Sequence, residues 1–273
     1  AVKLIASDLD GTLLKTKELS PRTREALDLA AAQGIHLVPG NGADLCSVPE
    51  MIREYPGVEY LITANGGAVY SVSEKSAFYQ CLMTPESVEV AIAVRKREKM
   101  VMEVVVDGVP YAEEAYVRDP IRYLATEYGA RYIKATRTPV KDIIEFAAQH
   151  AKDWTASPSY AAMGQEPPVY IPGERDSGYL RDFLCVKSSR NGAQDAGKGK
   201  TLLWLLDKLG ISPEEAMAFG DADNDSSMLE AVKYGIAMGN ATENCKKSAA
   251  CVTGTNEEDG VAEAILSHIK CEI

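Results

Sequence analysis

The sequence predicts an α/β fold in which a parallel sheet carries helices on both faces. Three observations support this class. Strand and helix signals alternate over the first 70 residues and again after residue 198, as is typical of parallel sheets. Short apolar runs near both ends of the chain lead into acidic clusters. Between about residues 82 and 190 the pattern changes, so we expect a second, smaller α/β domain inserted into the first.

The first elements follow from local signals. Residues 2–6 form an apolar run that predicts a short buried strand. Ser20 and Pro21 are typical of a helix N-cap and of the first helical position. Asn65-Gly66-Gly67 predicts a tight hairpin turn. In order, the expected elements before that turn are a strand at 2–6, a helix at 20–32, a strand at 35–38, a helix around 48–55 and a strand at 60–63.

The middle of the chain predicts a separate unit. Expected elements are a helix at 85–98, a strand at 102–106, helices at 121–128 and 140–151, and a strand at 184–186. Residues 157–178 are rich in Pro, Gly and Tyr, which indicates an irregular loop. We therefore predict a core formed by residues 1–81 and 191–273 and an inserted domain at 82–190.

The C-terminal part returns to the alternating pattern. Residues 201–209 are a strongly apolar helix candidate, and residues 214–219 lead into a strand. Residues 226–268 continue as helix, short strand, helix, strand and final helix. The strand at 214–219 ends at an acidic loop, 221–225, which parallel pairing brings to the same sheet edge as the acids after the first strand.

Composition limits the function classes. The 273 residues have a net charge of −11, with 46% hydrophobic and 25% charged residues, which is typical of a globular protein and argues against nucleic acid as a partner. No apolar stretch approaches the roughly 20 residues of a membrane span. The six cysteines are scattered, so we expect thiols in a reducing cytoplasm. The oligomeric state is not predicted.

Two carboxylates stand at the end of the first strand. Asp8 and Asp10 are two residues apart, so on a strand they project to the same side, roughly 6–7 Å apart. Gly11 then allows the backbone to leave the strand in a turn. One carboxylate can act as a nucleophile while a second moves protons. A solvated Asp-Gly turn is the alternative for this segment alone.

Four ordered motifs resemble the haloacid dehalogenase superfamily, most of whose members are phosphatases. The segment 8–12 (DLDGT) is similar to the family's nucleophile motif, Lys198-Gly199 to its lysine motif, and 220–225 (GDADND) to its acidic magnesium loop. The segments 228–230, 235–241 and 259–261 resemble the Cof-type branch. The resemblance covers about half of the chain and implies a doubly wound, Rossmann-like core with an inserted α/β cap.

The resemblance also implies roles for individual residues. Asp8 attacks phosphorus and Asp10 is the general acid and base. Mg²⁺ is held by Asp8, Asp221 and the backbone carbonyl of Asp10, with Asp225 acting through water. Lys198 balances the clustered acids and a phosphate oxygen, and Asn224 orients Asp221 or contacts phosphate.

One segment departs from the family pattern. The family has Ser or Thr followed by Gly at the end of the second strand, where this sequence is aligned with Asn41-Gly42. The Asn41 amide and the Gly42 N–H can still donate to a phosphate oxygen. Because Asn is longer than Ser, phosphate placement can shift, and a misplacement near 1 Å can cost about 100-fold in rate. A simple turn is the alternative for this dipeptide.

Two rival motifs fit less well. The acidic loop superficially resembles an EF-hand, but Ser226 stands where that pattern needs Gly. The segment 192–198 fits G-x-x-x-x-G-K, but Gly199 replaces the Ser or Thr whose hydroxyl would hold Mg²⁺ in a P-loop. A P-loop enzyme would also leave Asp8 and Asp10 unexplained.

The best interpretation is a Mg²⁺-dependent phosphatase that hydrolyses small phosphorylated metabolites, with sugar phosphates expected, through an aspartyl-phosphate. A phosphomutase of the phosphomannomutase-like type and a non-catalytic, phosphate-responsive binding module are the alternatives. Substrate choice is expected from the irregular loop of the inserted domain, where Arg175 can bind a second anionic group of the substrate. A solvated charge cluster is the competing interpretation of that loop.

Overall fold

The computed structural model describes residues 1–42, 45–98, 101–123, 127–155 and 197–271. The chain divides into two compact units. The first comprises Ala1–Ala43, Val48–Tyr79 and Gly197–Ile273, and the second comprises Asp44–Ser47 and Gln80–Ala196.

Strands and helices are numbered in chain order. The strands are β1 (Leu4–Asp8), β2 (His36–Gly40), β3 (Tyr60–Thr63), β4 (Ala68–Ser71), β5 (Ser76–Gln80), β6 (Glu103–Val106), β7 (Val109–Glu113), β8 (Thr138–Val140), β9 (Ala216–Gly220), β10 (Tyr234–Ala237) and β11 (Cys251–Val252). The α-helices are α1 (Pro21–Ala32), α2 (Glu50–Arg53), α3 (Pro85–Glu98), α4 (Glu114–Arg118), α5 (Glu127–Thr136), α6 (Ile143–Gln149), α7 (Lys198–Leu209), α8 (Ser226–Glu230), α9 (Glu243–Lys247) and α10 (Gly260–Cys271).

The first unit is organised by an eight-stranded sheet in the order β11-β10-β9-β1-β2-β3-β4-β5. The pairings from β11 across to β3 are all parallel, and β4 is antiparallel to β3. The strand β1 is central and every one of its residues is buried. Because its neighbours β2 and β9 run parallel to it, the carboxyl ends of all three strands lie at one edge, where such sheets place their ligands.

The helices of this unit begin and end at recognisable signals. The Ser20 hydroxyl accepts a hydrogen bond from the Thr23 backbone N–H at 3.0 Å and caps α1, with Pro21 in the first turn. Gly34 follows α1 with a φ of 76°, a conformation that glycine adopts without strain. The helix α1 packs against α10, and α7 packs against α8. No helix in the described ranges is both long and apolar enough to cross a membrane.

The second unit has its own small sheet and core. Its three strands are in the order β6-β7-β8, with β7 antiparallel to β6 and parallel to β8. Asp107 and Gly108, both with positive φ, form the turn between β6 and β7. One hydrophobic cluster joins β6 to α3 and α6, and its fully enclosed members include Val88, Val104 and Ile143.

The predicted α/β fold class is confirmed, with a central sheet that is mostly parallel. The order of elements predicted for residues 226–268 is also confirmed, and the last helix ends at Cys271. Two local predictions differ from the structure. The strand expected at 35–38 begins at His36 and continues through Pro39 to Gly40, because β1 pairs with β2 along that whole length, whereas β3 pairs with β2 only at Gly40. The helix expected at 121–128 is wrong, since residues 120–123 form a 3₁₀ turn and α5 begins at Glu127. The strand expected at 184–186 and the loop at 157–178 lie outside the described residues.

Candidate active site

Asp8 is the last residue of β1 and lies between two strand ends. Its Cα is in register with that of Gly40 of β2, and Ser7 before it is in register with Phe219 of β9. The chain leaves β9 at Gly220 and enters the acidic loop directly. Parallel pairing thus brings the acids of the first strand and of the acidic loop to one place, as the sequence predicted.

Lys198 is the first residue of α7, and its ammonium is buried between two carboxylates. The Lys198 Nζ atom donates to Asp8 Oδ1 at 2.5 Å and to Asp225 Oδ1 at 2.6 Å. The side chains of Lys198 and Asp225 have no exposed surface, and that of Asp8 retains 13% exposure. A buried lysine is unfavourable unless it is paired, so these two contacts account for its position.

Burial and charge oppose each other in this cluster. Burial raises the pKa of Asp8 to about 7, the Lys198 ammonium opposes that rise, and the nearby Asp225 carboxylate adds to it. Burial alone would lower the pKa of Lys198, but Asp8 and Asp225 together raise it above its ordinary value. Burial also raises the pKa of Asp221. The lysine is therefore held charged beside a carboxyl group whose charge is only marginally favoured.

Asp225 anchors the acidic loop from within. Its Oδ2 atom accepts hydrogen bonds from the backbone N–H groups of Asp221 at 3.0 Å and Ala222 at 3.1 Å. A Cβ on Gly220 would lie 2.4 Å from the Asp225 Cβ, so the loop closes this tightly only with glycine there. Both oxygens of Asp225 are thus occupied by protein donors, and the loop conformation depends on them.

Asp221 faces the loop that follows β1. The buried Thr12 hydroxyl donates to Asp221 Oδ1 at 2.7 Å. Gly11 has a φ of 82°, and a Cβ there would lie 2.6 Å from Asp221 Oδ2. The Asn240 side-chain amide donates to the Gly11 carbonyl at 2.8 Å. These contacts hold the Asp221 carboxylate against the turn that contains Asp10.

The donor set fits a hard divalent cation. Asp8, Asp221 and Asp225 each offer a carboxylate oxygen, and these oxygens all lie within 4.8 Å of one another. Oxygen ligands with no nitrogen or sulfur favour hard divalent cations such as Mg²⁺, Ca²⁺ and Mn²⁺. Because Asp225 already accepts from three protein donors, Asp8 and Asp221 are the carboxylates with capacity for direct coordination.

The remaining predicted site residues are placed differently. The Asp10 side chain is exposed, and its charge contributes to the raised pKa of Asp221. Asn41 directly follows β2, where its backbone N–H donates to the Ile62 carbonyl at 2.7 Å. Gly42 lies against a buried asparagine, since a Cβ on Gly42 would be 3.0 Å from Asn65 Oδ1.

Two more predicted residues complete the set. Asn224 lies in the acidic loop, and its side-chain amide donates to Asn65 Oδ1 at 2.8 Å. Arg175 lies outside the described residues.

Sequence reasoning missed several residues that shape the site. Thr12 belongs to the first motif, but the motif does not indicate that its hydroxyl contacts a distant acid. The sequence at Asn65 and Gly66 indicates only a hairpin turn. It carries no signal for contacts with Asn224 or Thr201, because these residues are more than a hundred positions away along the chain.

Comparison with known proteins agrees with this arrangement. A model of the haloacid dehalogenase-like hydrolase family matches residues 5–159 and 192–265. A Haemophilus influenzae protein that carries a provisional phosphatase name is 48% identical over 271 residues, with 95% of each chain covered. Pyridoxal phosphate phosphatase YbhA of Escherichia coli is 30% identical over 277 residues, with 98% of each chain covered.

A solved structure also resembles this chain along nearly its full length. The crystal structure of a haloacid dehalogenase-like hydrolase from Bacteroides thetaiotaomicron superimposes with a TM-score of 0.70 at 29% identity, covering 98% of this chain and 99% of that one. The family match spans most of the sequence and includes every motif that forms the acidic cluster. This protein therefore belongs to the haloacid dehalogenase superfamily, in its Cof-type branch.

Proposed function

We propose that the protein is a Mg²⁺-dependent phosphatase that hydrolyses small phosphorylated metabolites through an aspartyl-phosphate on Asp8. The observation that carries this proposal is the buried Lys198 ammonium between Asp8 and Asp225, with Asp221 within 4.8 Å of both acids. As a member of this family with relatives named as phosphatases, the protein is a phosphoric monoester hydrolase. The metal, the intermediate and the substrate are the proposed parts.

Asp8 is the proposed nucleophile. One of its carboxylate oxygens attacks phosphorus, and the bond from phosphorus to the leaving oxygen breaks as the acyl phosphate forms. The carboxyl group must be ionised to attack, although burial raises its pKa to about 7. The Lys198 ammonium favours the ionised form and holds one oxygen by a hydrogen bond, which leaves the other oxygen for the attack.

Asp10 is the proposed proton donor and acceptor. Its exposed position at the edge of the cluster suits a group that exchanges protons with both substrate and water. In the first step the Asp10 carboxyl protonates the leaving alkoxide and becomes a carboxylate. In the second step that carboxylate takes a proton from the water that attacks phosphorus, and the bond between Asp8 and phosphorus breaks.

The charge balance of the cluster supports a divalent cation. Three carboxylates face a single ammonium, so the cluster opposes the approach of a phosphate ester when all three are ionised. Asp8 and Asp221, with the backbone carbonyl of Asp10, would hold Mg²⁺. When bound, the cation would neutralise phosphoryl oxygens and align them with Asp8.

The substrate class is proposed from a relative and from the sequence motifs. Pyridoxal phosphate is the substrate in the name of one relative that is similar over its full length, and sugar phosphates are the class expected from the sequence. A role for Arg175 in choosing among these substrates stays a prediction. So does a cytoplasmic location, which rests on the cysteine pattern.

A substrate panel tests the proposal. Purified wild type should release inorganic phosphate from at least one member of a panel of sugar phosphates, pyridoxal phosphate and an aryl phosphate. Release should stop with a chelator and return with added Mg²⁺. The Asp8→Asn variant, which has nearly the same shape but is a poor nucleophile, should fall to background while keeping the wild-type circular dichroism spectrum.

Other outcomes separate the alternatives. Phosphate release from no panel member would contradict the phosphatase proposal. Interconversion of sugar phosphates that requires a sugar bisphosphate and conserves total ester phosphate would indicate a phosphomutase. Retained turnover in Asp8→Asn would exclude the aspartyl-phosphate while leaving a phosphatase.

A further inference from the structure

The turn between β3 and β4 has a backbone conformation that most residues avoid. Ala64, Asn65 and Gly66 have φ angles of 51°, 52° and 92°, and all three are buried. Consecutive left-handed residues, two of them with side chains, persist only where their surroundings hold them in place. We refer to residues 64–66 as the turn. Its contacts show which parts of the protein hold this conformation in place.

Those contacts reach three segments of the candidate active site. Asn224 Nδ2 donates to Asn65 Oδ1 at 2.8 Å and joins the turn to the acidic loop. The Asn65 backbone N–H donates to the Asn41 carbonyl at 3.3 Å and joins it to the end of β2. The buried Thr201 hydroxyl donates to the Gly66 carbonyl at 2.6 Å and joins it to the first turn of α7.

The turn also lies unusually close to the backbone at the start of α7. A Cβ on Gly66 would lie 2.3 Å from the carbonyl carbon of Gly197 and 2.6 Å from the backbone nitrogen of Lys198. The start of α7 therefore rests directly on the backbone of the turn. Because Lys198 is the first residue of that helix, the turn limits where its side chain can begin.

We propose that Asn65 is a positioning residue of the phosphatase site and acts through Asn224. Its side-chain oxygen orients the Asn224 amide, while its left-handed backbone presents Gly66 to the start of α7. This inference rests on the proposed function for its catalytic meaning, and its structural part can be tested without turnover. Asn65 itself does not need to contact the substrate.

Four variants isolate this role. Asn65→Gly removes the acceptor while glycine still adopts the positive φ, so the turn can keep its shape. Asn224→Ala removes the donor, and the double variant removes both. Lys75→Gly is the matched control, because Lys75 has the same φ of 52° but lies in an exposed turn. It reports the general effect of glycine at a left-handed position.

The kinetic test is a double-mutant cycle in kcat/KM on the best substrate. If the two asparagines act as one unit, each single variant should lose about tenfold and the double variant little more than the worse single. Lys75→Gly should match wild type. Losses that multiply to about 100-fold in the double variant would overturn the proposal, since Asn65 would then act independently of Asn224.

A spectroscopic test does not depend on activity. In ¹⁵N-labelled, metal-free protein, the side-chain NH₂ signals of Asn224 are identified by their absence in Asn224→Ala. They should shift in Asn65→Gly and stay in place in Lys75→Gly. Unmoved signals in Asn65→Gly would overturn the proposal even in an active enzyme. Shifted signals in a protein that hydrolyses none of the panel would support the contact while contradicting the proposed function.

Discussion

At the residue scale, the central feature is the buried Lys198 ammonium, which lies between the carboxylates of Asp8 and Asp225. Lys198 carries one positive charge and contacts Asp8 and Asp225, so the three groups together retain a negative charge when both acids are ionised. These buried charges stabilise the fold only while all three side chains are present, because removing one of them takes a partner of opposite sign away from a buried charge. Substitutions here therefore affect both folding and chemistry, and the two must be measured separately.

The role of Asp10 can be tested with leaving groups of different acidity. A sugar alkoxide leaves poorly unless it is protonated, whereas an activated aryl oxide leaves without help. We expect Asp10→Asn to lower kcat for a sugar phosphate by about 100-fold or more and to affect an activated aryl phosphate much less in the step that forms the intermediate. Pre-steady-state measurement of phenol release reads that step. Equal losses on both substrates would contradict the general-acid role.

Asp225 is predicted to be a structural carboxylate that an amide cannot replace. Its two oxygens accept from three donors, and it has no exposed surface. Asn has one acceptor oxygen, so its NH₂ group would face either the Lys198 ammonium or two backbone N–H groups. Removing the Asp225 charge also removes its repulsion with Asp8, which favours the folded state. This gain does not supply acceptors for the unsatisfied donors.

We therefore expect Asp225→Asn to lower the free energy of unfolding by about 3 kcal/mol. Asp223→Asn is the control in the same loop, because Asp223 is exposed and an Asn oxygen there can still accept from the Thr242 hydroxyl. It should change stability by less than about 1 kcal/mol. Urea denaturation in the presence of a chelator measures both, and equal stabilities would show that the loop does not depend on the Asp225 carboxylate.

At the element scale, the turn at 64–66 and the helix α7 are packed backbone against backbone. Gly66→Ala would place a Cβ 2.3 Å from the Gly197 carbonyl carbon at a φ of 92°. We expect a loss of about 3 kcal/mol or more, measured as a lower melting temperature. Gly34→Ala is the matched control, since Gly34 has a φ of 76° and a Cβ there would meet no atom of the described residues within 4 Å. It should lose only about 1–2 kcal/mol.

A comparable loss in the two glycine variants would mean that the turn can move away from α7. In that case the position of Lys198 would not depend on Gly66, and the effect of alanine would be backbone strain alone.

The beginning of α1 is tied to the loop before α10 by one acid. Asp259 accepts from the Ser20 hydroxyl at 2.5 Å and forms an ion pair with Lys15 at 2.9 Å. Burial acts to raise the pKa of Asp259, but Ser20 and Lys15 outweigh it and hold the pKa below its usual value of 3.8. A lowered pKa in the folded state means that the carboxylate stabilises the protein above pH 3.8 and loses this effect as the pH falls further.

Asp259→Asn is therefore expected to be less stable than wild type by about 1 kcal/mol between about pH 5 and pH 8, as judged by urea denaturation. Asn accepts the positive φ of 61° at this position, so the backbone need not change. The difference from wild type should disappear only below pH 3.8. A difference that declines already near neutral pH would show that another group titrates.

Much of this architecture could be predicted from the sequence because its signals are local. The apolar run before Asp8, the Ser20 and Pro21 start of α1 and the glycine after it each predict their element within a few residues. The end of β2 was not predicted because it contains Pro39. Proline inside a strand is unusual, and whether a strand tolerates it depends on which neighbouring strands pair at that position. The start of α5 was misplaced because residues 120–123 form a 3₁₀ turn, which the sequence pattern does not distinguish from the first turn of an α-helix.

The candidate site was predictable only in part for the same reason. Its acids and lysine stand in recognisable motifs, so they could be named before the structure. The contacts of Asn65, Thr12 and Thr201 join distant parts of the chain, and no local sequence pattern predicts them.

At the scale of the whole molecule, the order of strands in the sheet has a consequence for synthesis. The central strand β1 is made first, yet one of its two neighbours, β9, follows Lys198, which is 190 positions after Asp8. At typical translation rates the ribosome needs about 10–40 s to cover that distance. During this interval one edge of a strand that is fully buried in the folded protein stays without its partner. Until β9 emerges, this edge of β1 can pair with a wrong strand or be bound by a chaperone, and a chain cut short before β9 should aggregate rather than fold.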